Sequence, residues 1–169
     1  MTNRTGNSVQ GYRWFGDLES PLLRWGLRIV GVAFIAYSFA AMPLLAMTPL
    51  GDEHGSTMGH LVSWGSSGLE YQVMLCAVNI GMGIYLALSG NDPVKYRYVI
   101  DVFLVSQSLH MVSMFTMGFI SPAHRMHLIG DVPVATLSVV VVALVWLPVR
   151  KKASTAAGRD CRREHLEVA

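Results

Sequence analysis

Between residues 27 and 147 the chain passes through four apolar segments almost free of charge, and this pattern leaves few folds open. They cover residues 27–47, 71–89, 98–120 and 132–147. A helix needs about 20 apolar residues to cross a hydrocarbon core about 30 Å thick. The first segment has Arg28 at its entrance and Pro43 near its exit, where a missing backbone donor predicts a kink or an end. The second carries no charge, and the third holds Asp101 near one end and His110 near its middle. The fourth is the shortest and reaches spanning length if residues 128–130 join it. Only 14% of the 169 residues are charged, against 52% hydrophobic. Soluble domains carry about 25% charged residues. Too little polar sequence remains to cover four such helices in water. The expected fold is therefore all-α, an integral membrane four-helix bundle.

The same balance excludes a disordered chain and a protein that binds nucleic acid through a continuous basic face. Two cysteines, Cys76 and Cys161, are too few for a disulfide scaffold. The first segment is also too long, and followed by too many others, for a cleaved signal peptide.

Lys and Arg set the expected orientation, because cytoplasmic flanks collect them. Arg4, Arg13, Arg24 and Arg28 precede the first span, and Lys95 and Arg97 lie between the second and third. Arg150, Lys151, Lys152, Arg159, Arg162 and Arg163 follow the fourth, so Arg125 alone falls on the other side. This predicts a protein of a bacterial inner membrane with both termini cytoplasmic. Residues 1–26 form a cytoplasmic N-terminal segment, 27–148 the transmembrane domain, and 149–169 a basic cytoplasmic tail against anionic headgroups. Asp101 is expected to pair with Arg97, four residues earlier on the same helix.

Trp14, Trp25, Trp64 and Trp146, with Tyr71, Tyr96 and Tyr98, fall at the span ends, where amphipathic rings meet headgroups. Gly90-Asn91-Asp92-Pro93 reads as a turn that makes the second and third spans antiparallel neighbours. Ala36 and Ala40 in the first span, and Ala77 and Gly81 in the second, have the spacing of a close helix contact or a homo-oligomer seam. In the third loop, Ser121 and Pro122 start a short interfacial helix. Gly130 is expected to close it in a left-handed conformation, and Asp131 to cap the fourth span.

Candidate chemistry lies on the outward side. His54, His60, His110, His124 and His127 all fall in or near the outer half, with Asp52, Glu53, Glu70 and Asp131 in the outward loops. His110, Met114 and Met117 follow i, i+4, i+7 spacing, with Gln107 one turn below. An ionisable group at that depth is costly unless neutral and paired, which makes His110 a functional candidate. Imidazole and thioether donors together suit a soft or borderline metal, copper above all. His110, Met114, His124 and His127 form one such set. His110, Gln107, Met114 and Asp131 form a candidate small-ligand surface. A plain hydrogen bond across the bundle, a small-molecule or quinone contact, and a metal all remain open for His110.

Marks of several known chemistries are missing. A bis-histidine haem bundle needs paired His on facing spans, and a thiol oxidoreductase needs a reactive Cys pair. Small multidrug exporters carry an acid inside the first span, where this chain has Tyr37 and Ser38. A proton-coupled transporter needs an interior carboxylate, and Asp101 lies close to the cytoplasmic edge. Residues 71–148 resemble a family of small bacterial four-helix membrane proteins. The resemblance rests on His110 followed by the loop Pro122-Ala123-His124-Arg125-Met126-His127-Leu128-Ile129-Gly130-Asp131-Val132-Pro133. The first span, where Leu27-Arg28 leads a Gly/Ala-containing run, is similar to DoxX-like four-helix proteins; the His-bearing first loop departs from that pattern. These resemblances imply a topology but no reaction. The expected function is thus non-enzymatic, acting through a membrane-protein partner or a homo-oligomer with an outward His-rich ligand surface. The alternative is a redox-linked or copper-handling membrane protein.

Overall fold

A computed structural model describes residues 15–46, 69–122, 125 and 128–168. All regular structure among these residues is helical: α1 Pro21–Ala46, α2 Leu69–Ser89, α3 Arg97–Ile120, α4 Asp131–Trp146 and α5 Arg150–Val168. The apolar segments thus form helices, and their ends at Ser89 and Ile120 fall where hydropathy places them. α1 begins earlier than its apolar run, at Pro21. Proline suits a first helical turn, where its missing N–H would have no partner anyway. The preceding Ser20 supplies the first carbonyl, accepting from Arg24 N at 3.2 Å. α1 continues through Pro43 to Ala46.

Three helices are long and apolar enough to cross a membrane, over Pro21–Pro43, Gln72–Ser89 and Arg97–Ile120. α4 has 16 residues, roughly 24 Å of helix, short of a hydrocarbon core about 30 Å thick. It reaches spanning length only together with Arg150–Arg159, from which it is bent by 56°. Residues 128–130 do not extend it. Gly130 is its N-cap at φ −84°, ψ −97°, which is not left-handed, and Asp131 is the first helical residue instead of the cap. No side chain caps this end because a glycine occupies the position.

Large apolar side chains stand exposed along these helices, among them Ile29, Val78, Leu109, Phe119, Ile120, Leu137 and Leu144. So many in contiguous faces demand an apolar solvent or a partner. Several polar side chains on the same faces are satisfied within their own helix. Ser113, Thr116 and Ser138 donate to the carbonyls of Leu109, Val112 and Val134. That is the arrangement a group without access to water requires.

α1 packs most extensively on α2, and α3 packs on α4; α1–α4 and α2–α3 contacts close the ring. A short turn joins α2 to α3, with Lys95 N and Tyr96 N bonded to the side chain and backbone of Asp92. Neighbouring helices therefore run antiparallel. The α1–α2 contact is made by glycine, but at positions other than Ala36, Ala40, Ala77 and Gly81. A Cβ on Gly31 would meet Ala87 N at 2.5 Å and Gly83 O at 2.6 Å. One on Gly90 would meet Arg24 O at 2.6 Å. The backbones touch through these residues, whereas Ala36, Ala40 and Ala77 face outward and a Cβ on Gly81 would meet nothing within 4 Å.

Candidate functional site

The two halves of the bundle differ in what they bury. At the end carrying the start of α1 and the α2–α3 turn, one apolar cluster joins α1 to α5. It contains Leu23, Leu27 and Phe34 of α1, Leu86 of α2, Ile100 and Phe103 of α3, Val142 and Trp146 of α4, and Ala153 of α5. Phe34 and Phe103 meet edge to face, with centroids 5.6 Å apart. Arg24, Arg28, Lys95, Arg97, Arg150, Lys151 and Lys152 all belong to this end, by their places on these elements.

Asp101 ties that end together. Its Oδ1 accepts from Trp146 Nε1 at 2.8 Å and from Arg150 Nε at 2.8 Å, while Oδ2 accepts from Arg150 Nη2 at 3.1 Å. The expected Asp101–Arg97 pair is not formed. Arg97 instead stacks on the Tyr98 ring, 4.2 Å from its centroid, and donates to Tyr98 Oη and Val94 O. Trp146 also departs from expectation. It is fully buried against the α3 carboxylate instead of lying among headgroups, whereas Trp25 and Tyr98 are exposed as an interfacial belt requires. The start of α5 is held twice more: Ala153 is buried in the core, and Lys152 Nζ donates to Gly16 O at 2.6 Å. Gly16 accepts that contact at φ +77°, a conformation glycine adopts without penalty.

The other half holds two separate apolar clusters. One lies between α1 and α2 and consists of Ala41 and Cys76 with Met42. The second lies between α3 and α4 and consists of Met111, Met114 and Val132 with Ala135 and Val139. Among the described residues these clusters do not merge across the bundle. Apart from Val132, the buried positions of this half are polar, small or sulfur-bearing, Ser38, Gln72 and Gln107 among them. Ser38 and Gln107 each stand one helical turn beyond the Phe34–Phe103 pair, on the same faces of α1 and α3. Sequence reasoning missed Ser38 and Gln72. A polar residue recurring with buried neighbours at helical spacing was the available signal for both.

Of the expected site residues, Gln107 and Met114 point inward and are brought onto one face of α3 with Met111 and Gly118. His110 is half-buried beside them and is engaged in a contact within the protein. Met117 lies off this face and is exposed. Met111 Sδ lies 3.9 Å from Thr136 Oγ1, whose hydroxyl also donates to Val132 O at 2.7 Å. His54, His60, His124 and His127 lie outside the described residues, as do Asp52, Glu53 and the side chains of Glu70 and Asp131. Of the interfacial helix, Pro122, Arg125 and Leu128 have 3₁₀ conformation, and the remaining positions of 122–128 are outside the description. Leu128 packs on Gly118, where a Cβ would meet its Cδ2 at 2.7 Å. Among the described residues no three His, Cys, Asp or Glu side chains are grouped to hold a metal ion. Thioether, amide and hydroxyl groups can still present a mixed polar and soft lining to a small molecule. No family model, curated protein or solved structure matches this chain.

Proposed function

We propose that this chain is a four-span protein of a bacterial inner membrane, with both termini in the cytoplasm, that works without catalysing a reaction. It acts through a membrane-protein partner or as a homo-oligomer, and it binds a small ligand on its outward, His-bearing side. One observation carries this reading. The bundle is closed by a single apolar core at its cationic end but divides at the other into two clusters flanked by Ser38, Gln72 and Gln107. Buried amides and hydroxyls give this half a polar lining that apolar packing alone would not need. The cationic end supplies the orientation, since cytoplasmic flanks collect Lys and Arg.

A copper-handling protein is the second reading, favoured by the burial of Met111 and Met114 beside His110. In it, His110 and Met114 act with His124 and His127. Metal analysis of detergent-purified protein, wild type against His110→Ala, separates the two. Sub-stoichiometric metal in both samples defeats the copper reading, and stoichiometric copper lost in the variant defeats the first. For orientation, a cysteine introduced as Ser56→Cys reacts with an impermeant thiol reagent in intact cells. Labelling that appears only after lysis overturns the assignment.

A further inference from the structure

The geometry points to a discrete site for the phosphate of an acidic phospholipid at the α1–α2 edge, formed by Arg24, Arg28 and Asn91 beside Trp25. It rests on the membrane-spanning reading above. Arg24 and Arg28 lie one turn apart on α1, neighbouring positions on the helix surface. Neither is ion-paired with a carboxylate among the described residues. Arg28 Nη2 donates to the neutral Oδ1 of Asn91 at 2.6 Å, and its guanidinium lies 5.3 Å from the Trp25 ring centroid. Arg24 Nε is enclosed by the protein with no hydrogen-bond partner among the described residues, which leaves its terminal nitrogens as the ones to meet a ligand. Of the acids at this end, Asp17 and Asp92 accept backbone N–H bonds from Leu18 and Lys95, and neither they nor Glu19 form an ion pair with either arginine among the described residues. Arg150 makes the contrast, because its charge is met by Asp101.

Two guanidinium groups without an ion pair among the described residues can take an anion, and a phosphate meets their planar fork with paired oxygens. The surroundings identify which phosphate. Leu22, Trp25 and Ile29 of α1 and Leu88 of α2 are exposed next to the arginines, and a free anion in water would make no use of them. A phospholipid would lay its acyl chains along that surface with its phosphate at the level of the Trp25 belt. The site is held in shape by the backbone contact of α1 on α2. Gly90 lets Asn91 approach so closely that an added Cβ would strike Arg28 Cγ at 2.7 Å.

The test is native mass spectrometry of the full chain from micelles holding equal phosphatidylglycerol and phosphatidylcholine. Wild type is expected to retain phosphatidylglycerol in preference. Arg24→Gln/Arg28→Gln loses that preference by about tenfold per arginine, as expected for a charge-assisted hydrogen bond to the phosphate. Lys151→Gln/Lys152→Gln removes equal charge from the same end and keeps it. Equal loss in both double variants, or no preference in wild type, overturns the site. Displacement of the lipid by millimolar inorganic phosphate also overturns it, since a soluble anion would then suffice. If the arginine variant does not fold, Asn91→Asp offers Arg28 a carboxylate in place, and retained preference there overturns the site. Alkaline carbonate extraction of the wild type distinguishes the underlying reading: release without detergent refutes the membrane span itself, whatever the lipid result.

Discussion

Removing the Asp101 carboxylate tests whether the cationic end is held as described. Asp101 accepts three hydrogen bonds, and their environments differ. Trp146 is 0% exposed, so its indole N–H has no water to turn to when the acceptor is lost. Leaving a buried donor unpaired costs about 1–3 kcal/mol. The Arg150 side chain is 55% exposed and can rehydrate, so its half of the network contributes little. Asp101→Ala should therefore destabilise the protein by about 2 kcal/mol, nearly all of it through Trp146. Asp101→Asn keeps an oxygen for the indole and should cost less than about 1 kcal/mol. Arg150→Ala should fall below Asp101→Ala. Equilibrium unfolding in mixed micelles, followed by tryptophan emission, reads all three. Equal losses for Asp101→Ala and Asp101→Asn would show that charge matters and the indole contact does not. Arg150→Ala matching Asp101→Ala would refute the reasoning in the same way.

Glycine substitutions should separate contact from open positions. Gly31→Ala drives a methyl into the backbone of α2 and should cost at least about 2 kcal/mol in the same assay, whereas Gly81→Ala should be neutral or stabilising by up to about 1 kcal/mol. Gly118→Ala meets only the end of the flexible Leu128 side chain, so its melting temperature should stay closer to wild type than that of Gly31→Ala. Phe103→Ala removes a fully buried ring from the joined core and should cost about 3–5 kcal/mol by micelle unfolding, more than Met114→Ala in its small cluster. Gln107→Leu should leave the fold intact, since the apolar side chain is of similar size. It should also weaken any ligand found for the wild type, and unchanged affinity by calorimetry would remove Gln107 from the site.

What could be read from the residues alone was whatever depends on runs and local spacing. Uninterrupted apolar length marks a helix without regard to its partners, so Ser89 and Ile120 could be placed as helix ends. The start of α1 could not be placed by length, because Arg24 and Arg28 interrupt the run; the Ser20-Pro21 signal for a helix start was present but outside it. Pairings across the fold were hidden. Asp101 has a cation four residues away and another 49 residues away, and local spacing favours the near one. The fold prefers the far one, because the bend after Trp146 brings Arg150 back against α3 while Tyr98 occupies Arg97. Small-residue spacing is equally undecided on its own: Ala77/Gly81 and Gly83/Ala87 share a four-residue step, and only the register of α1 on α2 selects the second. At the candidate site, Gln107 and Met114 were legible from their spacing on α3. Their relation to Ser38 and Gln72 was not, since it depends on three helices meeting.

The order in which contacts become available follows from the way the cationic end is closed. α1 and α2 are adjacent in the chain, and their glycine contact needs nothing made later. The joined core needs Trp146 and Ala153, and the Asp101 network needs Arg150. During synthesis, a nascent chain can therefore hold an assembled first hairpin while the Asp101 carboxylate waits for Arg150, made 49 residues later. A chain terminated before Arg150 would carry every apolar span yet lack the residue that completes the seal.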